Sequence, residues 1–284
     1  MYTLDQTELD ALCVRVADID AEIRAPRTIV SILNRTLMHA RRPVAGAAVK
    51  IIIEVSKDEF SWLIRGSSHS NDKVLSATSA LPQVCGAVVS SLIAEIAGAA
   101  QLRVLRAAAV ERAGKAVLFV GDDWESCVVL ATHLHARGWR FLGGDYVLID
   151  PATLTVHATR KLLYATLGIM DELPLPYRRA VEASPWYATP REIAFYAIDP
   201  AVVPSTLPWA DRGRLNAVLR VDGDVLQFPS LERSASLSIS EDISGADLER
   251  GGVAVANVKL GDFIATCDLL ERWLEALADG RSAG

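Results

Sequence analysis

The sequence lacks several features that would define a functional class. Its four cysteines are far apart and form no CxxC pair, which argues against a zinc site and a disulfide framework and favours reduced thiols. It also has no excess of positive charge, because the net charge is -6. Neither nucleic acid nor an anionic membrane is therefore an expected partner.

Long apolar runs and targeting signals are missing as well. The most apolar stretch, residues 84–100, is interrupted by Glu95 and by small polar residues, so it predicts a buried helix rather than a membrane span. The first ten residues, MYTLDQTELD, contain neither a basic region nor an apolar core, so no signal peptide is expected. These features predict a cytoplasmic protein. With 51% hydrophobic and 23% charged residues, the chain can form a globular core.

Periodicity divides the chain into two predicted domains, residues 1–80 and 81–284. In the first, apolar residues recur every fourth position after Pro26, which predicts a helix. Two β-branched or aromatic runs, 47–55 and 60–66, flank a polar turn and predict a hairpin. The first domain is therefore predicted to be a small α+β unit.

The second domain shows an α/β pattern. A predicted helix over 82–100 is followed by strands over 102–110 and 115–120, and then by a second helix. Residues 139–150 predict a strand pair, or one strand that enters a turn. A hairpin at 216–228 and an amphipathic terminal helix complete the predicted elements.

One segment of this domain has the layout of a phosphate-binding loop. Residues 120–138 read VGDDWESCVVLATHLHARG, with an apolar strand before the glycine and a helix after it. The segment nevertheless lacks nearly every residue that such a loop uses to hold phosphate. It is the strongest candidate for a functional site in the sequence.

Residues 100–150 resemble the HPr kinase/phosphorylase superfamily, in particular its HPr-kinase-related bacterial members. The family typically shows a strand ending Leu-His-Ala-Ala-x-Val, a turn, an apolar strand, a Gly-x-x-Gly-x-Gly-Lys-Ser-Thr loop, a helix ending Arg-Gly and a strand into Asp-Asp. The same order stands here as LRAAAV, ERAGK, AVLFV, GDDWESCVV, LATHLHARG and WRFLGGDYVLID, without a gap across the loop and its helix. The resemblance implies a P-loop-containing, HPr-kinase-like sheet with flanking helices.

The loop residues depart from this family pattern. Gly121 matches the first glycine, but Trp124 stands at the next glycine and Ser126 at the glycine before the lysine. Cys127 replaces the lysine that would reach the β- and γ-phosphates, and Val128 replaces the serine that would hold magnesium. Set against the family that the sequence resembles, these departures imply a degenerate nucleotide loop. We expect the loop to contain no catalytic residue and to bind no nucleotide cofactor.

Three acidic residues, Asp122, Asp123 and Glu125, would add negative charge beside an expected triphosphate. A like-charge pair about 4 Å apart costs about 4 kcal/mol at an effective dielectric constant of ~20. These carboxylates and Asp145 are also candidates for a hard-cation site. Carboxylates in a strand-to-helix turn more often cap the helix, and this interpretation is favoured, so no metal is predicted.

The resemblance also implies a residual site outside the loop. Arg106 stands where the family has a histidine, and Gly144 replaces the first aspartate of the Asp-Asp pair, so that Asp145 remains. Arg160 and Lys161 match a family strand that ends in basic residues. They are expected either to contact an anionic substrate or to form a solvated pair.

The helix after the loop contains residue types suited to two other chemistries, a cysteine nucleophile and a histidine metal pair. Cys127 lies in the first turn, where the helix dipole lowers a thiol pKa, but acidic neighbours oppose a thiolate, so inert packing is favoured over a nucleophile. His133 and His135 are two residues apart and point to nearly opposite sides of a helix. They are therefore not expected to bind one metal ion.

The function implied is that of a catalytically inactive kinase-like protein, a pseudokinase. It would bind a peptide or protein as a scaffold, substrate carrier or regulatory subunit of a partner enzyme, in a peptide-modification pathway. One alternative is an atypical active kinase that phosphorylates serine on a peptide or protein. Others are a divalent-metal-dependent enzyme that uses the acidic loop and a structural subunit of a homo-oligomer.

Overall fold

The computed structural model shows a mixed α/β protein, as the sequence predicts. The contacts within the chain form two compact units. The first comprises Met1–Val104, Thr159–Leu162 and Trp186–Phe195, and the second comprises Leu105–Ala158, Leu163–Pro185 and Tyr196–Gly284. The structure describes residues 9–41, 51–57, 62–68, 71–78, 81–182, 186–188, 194–203, 207–222, 230–233 and 243–278.

Runs of strands separate most of the helices along the described part of the chain. The helices are α1 (Arg27–Thr36), α2 (Leu81–Ala100), α3 (Trp124–Ala136), α4 (Leu175–Glu182), α5 (Gly245–Arg250) and α6 (Phe263–Ala278), with 3-10 turns at Leu167–Glu172 and Pro200–Val202. The strands are β1 (Leu9–Val16), β2 (Ile19–Pro26), β3 (Ile51–Lys57), β4 (Trp62–Ser68), β5 (Asn71–Thr78), β6 (Arg103–Leu105), β7 (Ala108–Arg112), β8 (Lys115–Val120), β9 (Arg140–Gly143), β10 (Val147–Asp150), β11 (Thr155–His157), β12 (Leu163–Thr166), β13 (Trp186–Ala188), β14 (Ala194–Ile198), β15 (Arg212–Asp222), β16 (Ser230–Arg233) and β17 (Ala254–Lys259).

The first unit contains a sheet in the order β1-β2-β3-β4-β5, in which only the β2–β3 pairing is parallel among the described strands. Side chains alternate across it, so Ile51, Ile53 and Val55 are buried while the residues between them are partly exposed. Helices α1 and α2 pack on this sheet. The predicted helix after Pro26 and the predicted hairpin are confirmed, although residues 47–50 of the hairpin and its turn lie outside the described residues.

The predicted helix over 82–100 is also confirmed, as α2. It packs against β3, β4 and β5 and belongs to the first unit. In the part of the chain that the structure describes, no helix combines the length and the apolarity needed to cross a membrane. The division of the chain into two independent domains at residue 80 stays a prediction.

The second unit is built on a sheet in the order β10-β11-β15-β8-β7-β9, with β17 also beside β15. The strands β8, β15 and β17 run parallel, so their carboxyl ends meet at one edge. Antiparallel β7 pairs with β8 on its other side. This parallel centre positions the candidate loop, which follows β8.

Each face of the second sheet covers its own apolar cluster. Val117 and Phe119 of β8 face a cluster shared with α3 and α6, whereas Ala116 and Leu118 face a cluster that includes Leu248 of α5. The alternation follows from the two-residue repeat of a strand. Strand β8 is therefore buried on both faces, as its continuous apolar run indicates.

Two strand predictions in this unit need correction. The run 102–110 is not one strand but two, because β6 lies beside β10 whereas β7 pairs with β8 and β9. Between them, the backbone N–H of Ala107 donates to the carbonyl oxygen of Asp145 at 3.2 Å. Residues 139–150 do form two strands, β9 and β10, but these are not partners: β9 pairs with β7, and β10 pairs with β11.

Two predictions at the end of the chain have different outcomes. The predicted hairpin at 216–228 contributes strand β15, whereas its second arm includes residues outside the described ones. The predicted terminal helix is confirmed as α6.

Helix α6 is joined to the end of α3 by one carboxylate. Glu271 accepts hydrogen bonds from Arg137 Nη1 at 3.1 Å and from the indole Nε1 of Trp139 at 3.3 Å. Arg112 reaches the same carboxylate at 3.5 Å, with its guanidinium 5.8 Å from the centre of the Trp139 ring. Asp268, one turn earlier, pairs with Arg137 at 2.8 Å. These contacts fix α6 against α3 and β7.

Replacing Glu271 with alanine should therefore destabilise the protein. The change removes the acceptor of the buried Trp139 indole and one of the two carboxylates that pair with Arg137, which is expected to lower the free energy of unfolding by about 1–2 kcal/mol. Urea unfolding followed by tryptophan fluorescence measures the loss. Glu275→Ala, at an exposed position of the same helix, is the matched control and should change stability by less than about 0.5 kcal/mol. Equal effects of the two variants would show that the Glu271 contacts add nothing.

Candidate functional site

The candidate loop lies at the carboxyl end of β8, between that strand and α3. Ligands of parallel α/β sheets commonly bind in the crevice outside the carboxyl ends of the strands. The placement of the loop is thus that of a binding site. Whether the loop can hold phosphate depends on the groups that it presents there.

Gly121 ends β8 in close contact with β15. A Cβ atom at this position would collide with the carbonyl oxygen of Val221 on the neighbouring strand. Only glycine allows the two backbones to approach this closely. Gly121 is therefore required by strand packing, independently of any ligand.

Asp123 caps helix α3. Its Oδ1 accepts a hydrogen bond from the backbone N–H of Ser126 at 3.2 Å, and its Oδ2 accepts one from the Ser126 hydroxyl at 2.5 Å. The cap interpretation made from the sequence is thus correct for Asp123. A helix N-terminus attracts anions because its first N–H groups are unpaired. Here the protein's own carboxylate occupies one of these donors, while Asp122 is exposed.

The first turn of α3 is buried where a phosphate loop needs polar side chains. Ser126 is 8% exposed, Cys127 is 3% exposed and Val128 is 1% exposed. Cys127 and Val128 belong to the apolar cluster between the sheet and helices α3 and α6. The positions that carry the phosphate lysine and the magnesium hydroxyl in the related loop therefore point into the core.

Burial decides the chemistry of Cys127. Burial, and to a smaller extent the nearby Asp123 carboxylate, raise the pKa of the thiol to about 12, against smaller opposing effects of a backbone hydrogen bond and of Arg106. The lowering expected at a helix N-terminus does not prevail. Cys127 is a packing residue at neutral pH, as the sequence favoured.

Two further loop side chains make contacts across the second unit. Trp124 is partly buried and packs against the apolar cluster under α3. Glu125 accepts a hydrogen bond from the Thr166 hydroxyl at 2.6 Å. The sequence did not indicate the Thr166 contact, because the two residues are 41 positions apart and belong to no shared motif. Both loop side chains are therefore held by other residues of the second unit.

The four residues of the predicted residual site are divided between the two units. Arg106 and Asp145 share the second unit with the loop. Arg106 is exposed, and Asp145 is partly exposed and accepts the Ala107 N–H through its backbone carbonyl. Arg160 and Lys161 belong to the first unit, where Arg160 has a positive φ of 52° and Lys161 is 8% exposed.

The two histidines of α3 have different environments. His133 Nε2 donates to the backbone carbonyl of Glu172 at 2.8 Å. His135 is fully buried, with its Nδ1 2.6 Å from the Tyr177 hydroxyl and its ring beside Phe141. They therefore do not converge on one ion, as predicted. Within the described residues, no group of three or more His, Cys, Asp or Glu side chains is placed to hold a metal.

Buried His135 predicts a stability that depends on pH. Burial lowers its pKa from 6.5 to about 4 in the folded protein, so the unfolded chain binds the proton more readily between these values. The free energy of unfolding should be highest above pH 6.5 and fall by about 3 kcal/mol as the pH drops through 4. Urea unfolding across this range measures it. His135→Gln should flatten this part of the profile, and an unchanged slope would contradict the assignment.

The burial of Cys127 predicts that its thiol is unreactive in the folded protein. Iodoacetamide at pH 8, followed by mass mapping, should modify the partly exposed Cys13 first and leave Cys127 and Cys267 unmodified. Both buried thiols have pKa values raised to about 12, and both should react once urea unfolds the chain. Rapid modification of Cys127 without unfolding would contradict the packing role.

Comparisons with known proteins identify a distant structural similarity. No protein-family profile matches the chain, and no curated protein matches it. Among solved structures, the chain is similar to the Hpr(Ser) kinase/phosphatase from Coxiella burnetii, with 12% sequence identity and a TM-score of 0.31. The match covers 60% of this chain and 96% of that one.

Proposed function

We propose that this protein is a kinase-like binding domain that does not transfer phosphate. It would bind a peptide or protein and serve as scaffold, substrate carrier or regulatory subunit of a partner enzyme. The observation that carries the proposal is the burial of Cys127 and Val128 in the apolar cluster, where a phosphate loop has lysine and serine. The kinase-like fold is part of the proposal and rests on the order of strand, loop and helix in the sequence.

The charges of the loop support the same conclusion. Phosphoryl transfer depends on positive groups that hold the phosphates and neutralise the developing charge. Here Asp122 is exposed at the loop, Asp123 caps the helix and Glu125 is bonded to Thr166. The exposed Arg106 is the one basic group whose charge acts on Cys127 among the described residues. A single arginine does not replace the lysine, the backbone cradle and the magnesium ligand together.

A peptide-binding role follows from the family resemblance. Kinases of this kind act on serine in a carrier protein or peptide, so a domain that no longer transfers phosphate would retain the face that binds the polypeptide. This step is an argument by analogy, since fold alone does not specify function. The test therefore begins with the nucleotide, for which the geometry makes a definite prediction.

Calorimetry with Mg-ATP should show no saturable binding at millimolar nucleotide, because the loop offers neither the lysine nor the magnesium hydroxyl. Asp145→Ala is the matched variant. Saturable binding by the natural protein that disappears in Asp145→Ala would overturn the proposal and establish the atypical kinase instead.

A repaired loop provides the positive control for this measurement. Trp124→Gly, Ser126→Gly, Cys127→Lys and Val128→Ser together should confer nucleotide affinity by drawing positions 127 and 128 out of the core. They should give no turnover, because Arg106 and Gly144 still replace family residues outside the loop. The four changes should also lower stability, since two of them place polar groups at core positions. Robust ADP release by the repaired protein would show that the rest of a catalytic site is intact.

A further inference from the structure

The start of α6 presents an apolar surface that the proposed function leaves unexplained. The ring of His133 stacks on that of Phe263, with centroids 6.0 Å apart and an angle of 2° between the planes. The next residue, Ile264, is a large apolar side chain that is 57% exposed. We call these three residues the Phe263 patch.

The Phe263 patch is held in place by contacts beneath it and at its sides. Phe263 packs against the apolar cluster under α3. His133 Nε2 donates to the Glu172 carbonyl, and Arg137 Nη2 donates to the backbone carbonyl of Ile264 at 3.2 Å. The patch therefore has a fixed shape, which lowers the entropic cost of binding a partner.

The rim of the Phe263 patch is acidic. Asp262 precedes Phe263 and is exposed, and Glu172, whose backbone carbonyl accepts the His133 hydrogen bond, is exposed as well. The basic group at the rim, Arg137, is paired with Asp268 and Glu271, so it offers little charge to a partner. Burial lowers the pKa of His133, and Arg137 adds to this effect, against the hydrogen bond to the Glu172 carbonyl and the charges of Asp262 and Glu172. Asp262 and Glu172 thus place exposed negative charge beside the patch.

We propose that the Phe263 patch binds a segment of a partner protein that places an apolar side chain between lysines or arginines. This inference rests on the proposed function and names the chemistry of the partner. An apolar centre with a charged rim is the usual anatomy of a protein interface, and complementary charge speeds and orients the encounter. Anionic lipid is a poor fit, because the acidic rim would repel its headgroups.

The probe is a fluorescein-labelled amphipathic peptide of leucine and lysine, and the same peptide with glutamate for lysine is its counterpart. Fluorescence anisotropy should show that the lysine peptide binds and that the glutamate peptide does not. Added salt should weaken the binding of the lysine peptide. Ile264→Ser should weaken it about tenfold, and Ile264→Leu should restore it. Leu9→Ser, at an apolar side chain of the first unit that is 43% exposed, is the matched control and should bind normally.

A second pair of variants separates local charge from net charge. Asp262→Asn with Glu172→Gln removes two rim charges, and asparagine can still accept the Ala265 N–H that Asp262 Oδ1 accepts at 3.0 Å. Asp10→Asn with Asp18→Asn removes two exposed charges in the first unit. Only the rim pair should weaken binding, by about fivefold, and reduce its salt dependence. Circular dichroism confirms that each variant is folded.

Several results would overturn the inference. If both pairs of charge variants weaken peptide binding equally, the peptide is attracted by the net charge of the protein alone. If the glutamate peptide binds, the acidic rim does not determine binding. Absence of binding by the lysine peptide, or self-association that is lost in Ile264→Ser, would show that no basic partner docks here. None of these results changes the Mg-ATP measurement, so a failed patch and a failed proposed function are distinguishable.

Discussion

The close approach of Gly121 to the carbonyl oxygen of Val221 fixes the geometry of the candidate site. Because no side chain fits between these backbones, β8 must end and turn at Gly121 while it is still packed against β15. Helix α3 then begins directly over the sheet, with Asp123 as its cap. Its first turn lies against the apolar cluster, where Cys127 and Val128 are buried.

A phosphate-binding loop and a buried helix start make opposing demands on the same residues. The loop requires free N–H groups, small side chains and a lysine that reaches outward. A buried start requires apolar side chains and an internal cap, because unpaired polar groups in a core are costly. Trp124, Cys127 and Val128 meet the second demand, and the Asp123 cap satisfies a donor that a phosphate would otherwise use. The first turn of α3 thus favours packing at the positions where a phosphate-binding loop carries its lysine and its magnesium hydroxyl.

Local patterns in the sequence predicted the elements that depend on local structure. The helix after Pro26, the helix α2 and the terminal helix α6 all follow from apolar spacing, and the cap at Asp123 follows from its position in a strand-to-helix turn. The division of 102–110 into two strands was missed because it depends on pairing with strands that come later in the chain, β10 for β6 and both β8 and β9 for β7. The same holds for the contact of His135 with Tyr177, 42 positions apart, and for the Glu271 contacts with Arg137, 134 positions apart. Such pairs are set by tertiary packing, which a single sequence does not display.

Helix α3 runs from the candidate loop, where its first turn is buried, to the Phe263 patch at the surface of the same unit. Its first turn is sealed by Asp123 and the apolar cluster, whereas His133, two and a half turns later, lies under Phe263 at the surface. Burial of the first turn fixes the helix against the sheet, and Glu271 of α6 fixes its other end through Arg137. The ring of His133 is thereby held where it supports the Phe263 patch. The interactions that bury the first turn at one end of the helix thus also help to order the Phe263 patch near the other.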